Sequence, residues 1–306
     1  MSSTEPSVKP HSAEYFGEQR DFWWNADFVA LMAKRWQLDG VKKALDVGCG
    51  VGHWGRVLLP HLPPQARLFG IDREATWVEE AAKRARVAGY AERTSYRLGD
   101  AEHIPFHDGT FDLVTCQTLL IHVREPRAVL REMMRVLKPG GLVAMAEPNN
   151  LSSALALGTA MFHAEPERLL DVVRFQVLCQ LGKARLGEGH NAVGEQLPGY
   201  AAEVGLTDIQ VYLSDRASAV YPPYRGRAQE VLRDEQLDWA ERGFLGWDRR
   251  DTRRFILAAG ASEAEHDRLC AVVLAAAREA ATGLRAGTEH QAGGTVRYLI
   301  SGRKAG

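Results

Sequence analysis

The stretch Ala44-Leu45-Asp46-Val47-Gly48-Cys49-Gly50-Val51-Gly52-His53-Trp54-Gly55 sets an acid ahead of alternating glycines, where an apolar run gives way to a helical pattern. Side chains in such a loop would block a ligand. Glycine permits close backbone approach, and the helix start that follows offers unpaired N–H groups to a polar or anionic molecule. The chemistry implied is nucleotide-type binding. Asp72 ends the next apolar run, where a carboxylate can accept hydrogen bonds from both hydroxyls of a ribose. This much does not identify the ligand: Gly50, Gly52 and Gly55 also satisfy the G-x-G-x-x-G pattern of dinucleotide sites, and Asp72 suits NAD equally well.

The residues further along narrow the choice. Gly99-Asp100-Ala101-Glu102 follows a third apolar run, and Asp108-Gly109-Thr110-Phe111-Asp112 precedes a fourth. Val136-Leu137-Lys138-Pro139-Gly140-Gly141 closes a helical segment. In that order, over about Val41 to Pro148, the series resembles class I S-adenosylmethionine-dependent methyltransferases, especially the branch containing the ubiquinone and menaquinone biosynthesis enzymes. Arg297-Tyr298-Leu299-Ile300-Ser301 is similar to that family's final strand. The resemblance implies that Gly48, Gly50 and Gly52 admit the methionine part of S-adenosylmethionine while Asp46 orders the loop. It further implies that Asp72 holds the ribose, that Asp100 and the Ala101 N–H meet the adenine, and that Gln117 or Thr118 borders the methionine end.

A sulfonium is already a strong electrophile, so alignment is the main catalytic demand and a base is optional. Two side chains are candidates for proton transfer. His122 follows the fourth apolar run and can take a proton from a hydroxyl or carbon acid; its competing role is a buried histidine bonded to backbone. Glu147, at the end of the fifth run, either faces the pocket or caps the next element. Tyr200, Tyr221, Tyr224, Trp239 and Trp247 are candidate walls for an apolar acceptor, although aromatics at helical spacing more often belong to cores. His190-Asn191 lies in a glycine-rich stretch that can border the site.

These residues need a scaffold that brings strand ends together. Short apolar runs at Ala44–Val47, Leu68–Ile71, Ser95–Leu98, Phe111–Cys116, Leu142–Ala146, Ile209–Leu213 and Val296–Ser301 alternate with helical patterns at His53–Leu59, Ala75–Ala88, Pro126–Leu137 and Gly194–Val204. The expected fold is α/β: a Rossmann-like, seven-stranded, mostly parallel sheet with helices on both faces and helical lid insertions. Residues 1–40 are read as an N-terminal helical cap carrying the aromatic run Tyr15 to Trp36. Residues 41–150 with 201–213 and 295–306 form the cofactor-binding core, and 151–200 and 214–294 a helical lid, since ligands in such sheets sit beyond the strands' carboxyl ends.

Composition disfavours other classes. With 38 basic against 39 acidic residues, the chain has no excess charge to draw nucleic acid. Its four cysteines lack C-x-x-C spacing, which gives neither a zinc site nor a disulfide framework. The first thirty residues carry acids and no apolar segment, and no run is long enough to cross a bilayer, so a cytoplasmic protein without a membrane span is expected. The partner expected is a small organic molecule that receives a methyl group. The rival readings are a protein methyltransferase, an NAD-dependent oxidoreductase, for which no Tyr-x-x-x-Lys is evident, and a non-catalytic cofactor-binding protein.

Overall fold

The computed structural model describes residues 14–155 and 157–306. The first thirteen residues of the expected N-terminal cap, and residue 156 of the first expected insertion, lie outside them. The strands are β1 (Lys43–Val47), β2 (Arg67–Asp72), β3 (Thr94–Leu98), β4 (Phe111–Gln117), β5 (Leu137–Asn149), β6 (Leu206–Leu213), β7 (Ser218–Val220), β8 (Gln291–Gly293) and β9 (Val296–Lys304). The helices are α1 (Ala26–Arg35), α2 (His53–Leu58), α3 (Ala75–Val87), α4 (Pro126–Val136), α5 (Thr159–Phe162), α6 (Pro166–Arg185), α7 (Leu197–Glu203), α8 (Arg227–Arg242), α9 (Arg249–Ala258) and α10 (Glu263–Ala286).

Seven strands form one sheet in the order β3-β2-β1-β4-β5-β9-β6. The first five run parallel; β9 is antiparallel to both of its neighbours. This is the expected Rossmann-like sheet. Strands β1 and β4 are apolar nearly throughout because both of their faces are covered. On one face Leu45, Val47, Val114 and Val143 pack against Val129, Leu130 and Met133 of α4. On the other Ala44, Leu113 and Ala144 pack under Phe28, Met32 and Trp54 of α1 and α2. Order reverses at β1, which lies between β2 and β4, and a crevice opens beyond the carboxyl ends of such strands.

The segment between β6 and β9 is mostly helical, as its pattern predicts, and its starts follow from capping. Asp248 accepts the Asp251 N–H at 2.7 Å to open α9, and the Ser262 hydroxyl accepts the Glu265 N–H at 3.2 Å to open α10. The helical reading omits one feature: β7 and β8 pair as a short antiparallel ribbon. Helices α6, α9 and α10 share a separate core of Phe175, Cys179, Phe255, Ile256 and Leu269. There α6 crosses α9 so closely that a Cβ at Gly182 would overlap the Phe255 backbone. The aromatic run near the start divides between a 3-10 turn at Glu18–Phe22 and α1, where a continuous helix would suit the spacing. Among the described residues no helix is long and apolar enough to cross a membrane.

Candidate functional site

A cleft of about 660 Å³ lies between the carboxyl ends of the parallel strands and the helices that follow β5 and β6. Of the residues singled out in the sequence, Asp46, Gly48, Gly50, Asp72, Asp100, Ala101, Gln117, Thr118 and His122 line it. Gly52 and Glu147 do not.

The glycine loop forms its floor. Gly48 has φ +66°, and a Cβ there would come within 2.6 Å of Leu119; Gly50 has φ +51°. Only glycine takes these conformations without strain. Gly52 sits one step outside, as the residue before α2, packed near the Tyr96 hydroxyl. Asp46, 1% exposed, uses one carboxylate oxygen to accept the Gly55 N–H at 3.1 Å, tying β1 to α2. Burial pushes its carboxyl up to about 7. Asp72, at the end of β2, accepts the Gly50 N–H at 2.8 Å and the Glu74 N–H at 3.0 Å. It therefore orders the loop while presenting its carboxylate to the cleft. Asp100, exposed at the rim, accepts the Glu102 N–H at 3.0 Å and so shapes the turn that carries Ala101.

Gln117 ends β4 and is oriented by His53, whose Nδ1 lies 3.3 Å from Oε1 of the carboxamide. Burial holds the imidazole down at about 3, so it stays neutral. The Gln117 Nε2 has no partner among the described residues.

Arg20, in the 3-10 turn before α1, is a wall residue that motif spacing did not reveal. Its guanidinium lies 4.5 Å from the Phe16 ring and 4.8 Å from the Trp23 ring, only 9% of the residue is exposed, and burial holds its pKa down to about 9. Its Nε also has no partner among the described residues. Three residues that line the cleft, Arg20, Asp46 and Gln117, thus each carry a buried polar atom (Nε, Oδ1 and Nε2) without a partner among the described residues, and such groups carry a free-energy cost that a complementary ligand removes. A cation, a carboxylate and an amide match an α-amino acid zwitterion, which is the methionine end of S-adenosylmethionine. The residues present fit that group.

Glu147, at the end of β5, is fully buried. One oxygen accepts the Leu119 and Leu120 N–H groups at 2.8 and 3.0 Å. It holds the turn after β4 in place from behind, and burial pushes its carboxyl up to about 7. His122 ends that turn and faces the cleft together with Lys183 of α6 and with Trp247 and Phe255 of the helical segment. The other aromatics lie elsewhere. Trp239 packs edge-on to Tyr15 at 5.8 Å, the Tyr224 hydroxyl donates to the Glu289 carbonyl at 2.8 Å, and Tyr221 is exposed. Tyr200 and His190 border an adjacent cavity of about 150 Å³.

The N-terminal segment bridges the two sides. The Phe16 ring lies against Gly50 and meets Trp77 of α3 at 4.7 Å, while the neighbouring Tyr15 hydroxyl donates to the Gly246 carbonyl at 2.9 Å.

Residues 45–145 match the family model described as a methyltransferase domain. An uncharacterized methyltransferase of Bacillus subtilis, YcgJ, is 32% identical over 46% of this chain and 53% of its own length. The demethylmenaquinone methyltransferase of Geobacillus sp. (strain WCH70) is 34% identical over 42% of this chain and 53% of its own. The ubiquinone biosynthesis O-methyltransferase of Xanthomonas oryzae pv. oryzae is 27% identical over 76% of this chain and 95% of its own. The chain spans about half or less of the length of the first curated relatives it matches. The crystal structure of YcgJ superposes with a TM-score of 0.52 at 20% identity, covering 92% of this chain and all of that one, a likeness of fold.

Proposed function

We propose, from the match of residues 45–145 to a methyltransferase domain, that this protein transfers a methyl group from S-adenosylmethionine to a small organic molecule. The observation that carries the reading is that Arg20, Asp46 and Gln117, each with a buried polar atom lacking a partner among the described residues, line the same cleft as Gly48 and Gly50 of the glycine loop. Arg20 would take the carboxylate of the methionine moiety and Asp46 its ammonium, and the Gln117 Nε2 would donate to the carboxylate. Asp72 would hold the ribose, and Asp100 and the Ala101 N–H the adenine. When bound, the sulfonium supplies an activated methyl group. The protein's own work is to orient the acceptor and exclude water.

The small-molecule acceptor is supported by the shape of the site. A cleft of about 660 Å³ roofed by α6 and α9 falls within the size of small-ligand cavities, about 300–1,000 Å³. His122, Lys183, Trp247 and Phe255 furnish the wall left for the acceptor. The relatives named for demethylmenaquinone and for ubiquinone biosynthesis agree with an acceptor of low molecular weight. The near-even balance of charge speaks against nucleic acid. Isothermal calorimetry tests the reading: S-adenosylhomocysteine and S-adenosylmethionine should bind, and NAD and NADP should not. Equal or tighter NAD binding would overturn it.

A further inference from the structure

The acceptor side of the cleft holds a basic group that cofactor binding does not use. Lys183 lies in the last turns of α6, is 4% exposed, and lines the cleft beside His122. Its Nζ donates to the Ile121 carbonyl at 2.7 Å and to the Asn191 carboxamide oxygen. Both acceptors are uncharged, and among the described residues no carboxylate makes a direct hydrogen bond to this amine. A neutral amine has two N–H groups and one lone pair, and these two acceptors use both N–H groups. The position left over is the lone pair, or a third N–H once the amine is protonated.

We infer that Lys183 is the general base of this site, accepting the proton of a phenolic or enolic hydroxyl on the acceptor as that oxygen is methylated. The inference rests on the methyltransferase reading. The hydroxyl proton passes to the Nζ lone pair, the oxygen's electron pair forms the new O–CH3 bond, and the electron pair of the breaking C–S bond returns to sulfur. Positive charge thus moves from sulfur to the lysine ammonium, and nothing else is consumed.

The surroundings keep the amine available near neutrality. Burial pulls its pKa down to about 7, opposed by the charges of Glu188 and Glu147. Glu188, in the loop after α6, is engaged by Arg254 of α9, and Glu147 by the Leu119 and Leu120 amides. His190, on the following loop, is itself disfavoured as a cation by burial and by Lys183. A base of this strength matches a hydroxyl acid at working pH. Because Lys183 also holds the Ile121 carbonyl, just before His122, a purely structural role must be separated from a chemical one.

Competitive trace acetylation of the full chain across neutral and alkaline pH, read at each lysine by peptide mass spectrometry, addresses the amine without any acceptor. Lys183 should react with a midpoint near 7, well below the ordinary value for a lysine side chain, about 10.4. An inert Lys183, or one whose midpoint lies at that ordinary value, overturns the inference. Transfer of labelled methyl from S-adenosylmethionine to catechol, with aniline and thiophenol as controls, gives the second readout. K183R keeps donors for Ile121 and Asn191 but cannot accept a proton, so K183R and K183M should both lose about 10²–10⁴ in catechol turnover. Retained turnover in K183R, or transfer to aniline or thiophenol but not to catechol, overturns the inference. Both variants should bind S-adenosylhomocysteine like the unmodified protein. If the unmodified protein fails to bind it, the methyltransferase reading fails, and the acetylation result still stands by itself.

Discussion

Replacing Arg20 by methionine separates the role of a buried cation in ligand binding from any role in the fold. The guanidinium lies 4.5 Å from the Phe16 ring and 4.8 Å from the Trp23 ring, its pKa is pulled down to about 9 by burial, and its Nε has no partner among the described residues. Its charge is disfavoured by burial and by Arg297 and Arg84 and offset in part by Asp46, and replacing a buried charge of this kind with an apolar side chain of similar length is commonly neutral or stabilising. Methionine fills the same channel and keeps favourable contact with both rings. With ligand bound, a hydrogen bond from a cation to a carboxylate contributes about 1.5–3 kcal/mol, or roughly ten- to a hundredfold in affinity. Arg20→Met should therefore weaken S-adenosylhomocysteine by that factor in calorimetry while the ligand-free melting temperature stays the same or rises. Methylthioadenosine, which lacks the amino acid moiety, serves as the control and should bind both proteins equally, closing a double-mutant-style cycle. A folded variant with unchanged S-adenosylhomocysteine affinity, or one that loses both ligands alike, would refute the placement of the carboxylate.

Three further outcomes are expected. Asp72→Ala should raise the dissociation constant for S-adenosylhomocysteine by about ten- to a hundredfold, because it removes a charged acceptor; an unchanged constant in a folded variant excludes the ribose assignment. Glu147 has its carboxyl raised to about 7 from 4.5, so its favourable contribution is complete below pH 4.5 and is lost as pH rises through 7. Glu147→Gln, still able to accept from Leu119 and Leu120, should match the unmodified protein in melting near pH 4 and exceed it by on the order of 3 kcal/mol above pH 8; equal melting curves at both pH values contradict this. Hydrogen exchange in α9 and around Trp247 should slow when S-adenosylhomocysteine and an acceptor are bound together; identical exchange in both states marks a fixed wall, not a closing one.

The sheet was legible because fully covered parallel strands read as short apolar runs, and six of the seven both begin and end within three residues of the expected positions. Strand β5 runs further, to Leu137–Asn149, because the chain leaving α4 pairs at once with β4 through Leu137 and Phe111. Glycines and acids at strand ends were visible because their function requires fixed spacing. Arg20 and Lys183 were not. Each is an ordinary basic residue in a helical stretch, and only the burial imposed by distant elements, the glycine loop for one and α9 with the Ile121 turn for the other, gives it a chemical role. Glu147 was visible as the end of a strand, but its contacts with two amides of another segment depend on the pairing of β4 with β5.

The position of β9 also dictates an order of assembly. It inserts between β5 and β6, pairing Leu142 with Arg303 on one side and Leu206 with Lys304 on the other. During synthesis the ribosome releases β1 to β5 first, then β6, then the whole of α8, α9 and α10, and only afterwards the strand that joins β6 to the sheet. Until then β5 presents an open edge and β6 has no neighbour, a state in which strands recruit other chains. Nonsense mutations within Val296–Lys304 would therefore leave the whole glycine loop translated yet yield aggregates.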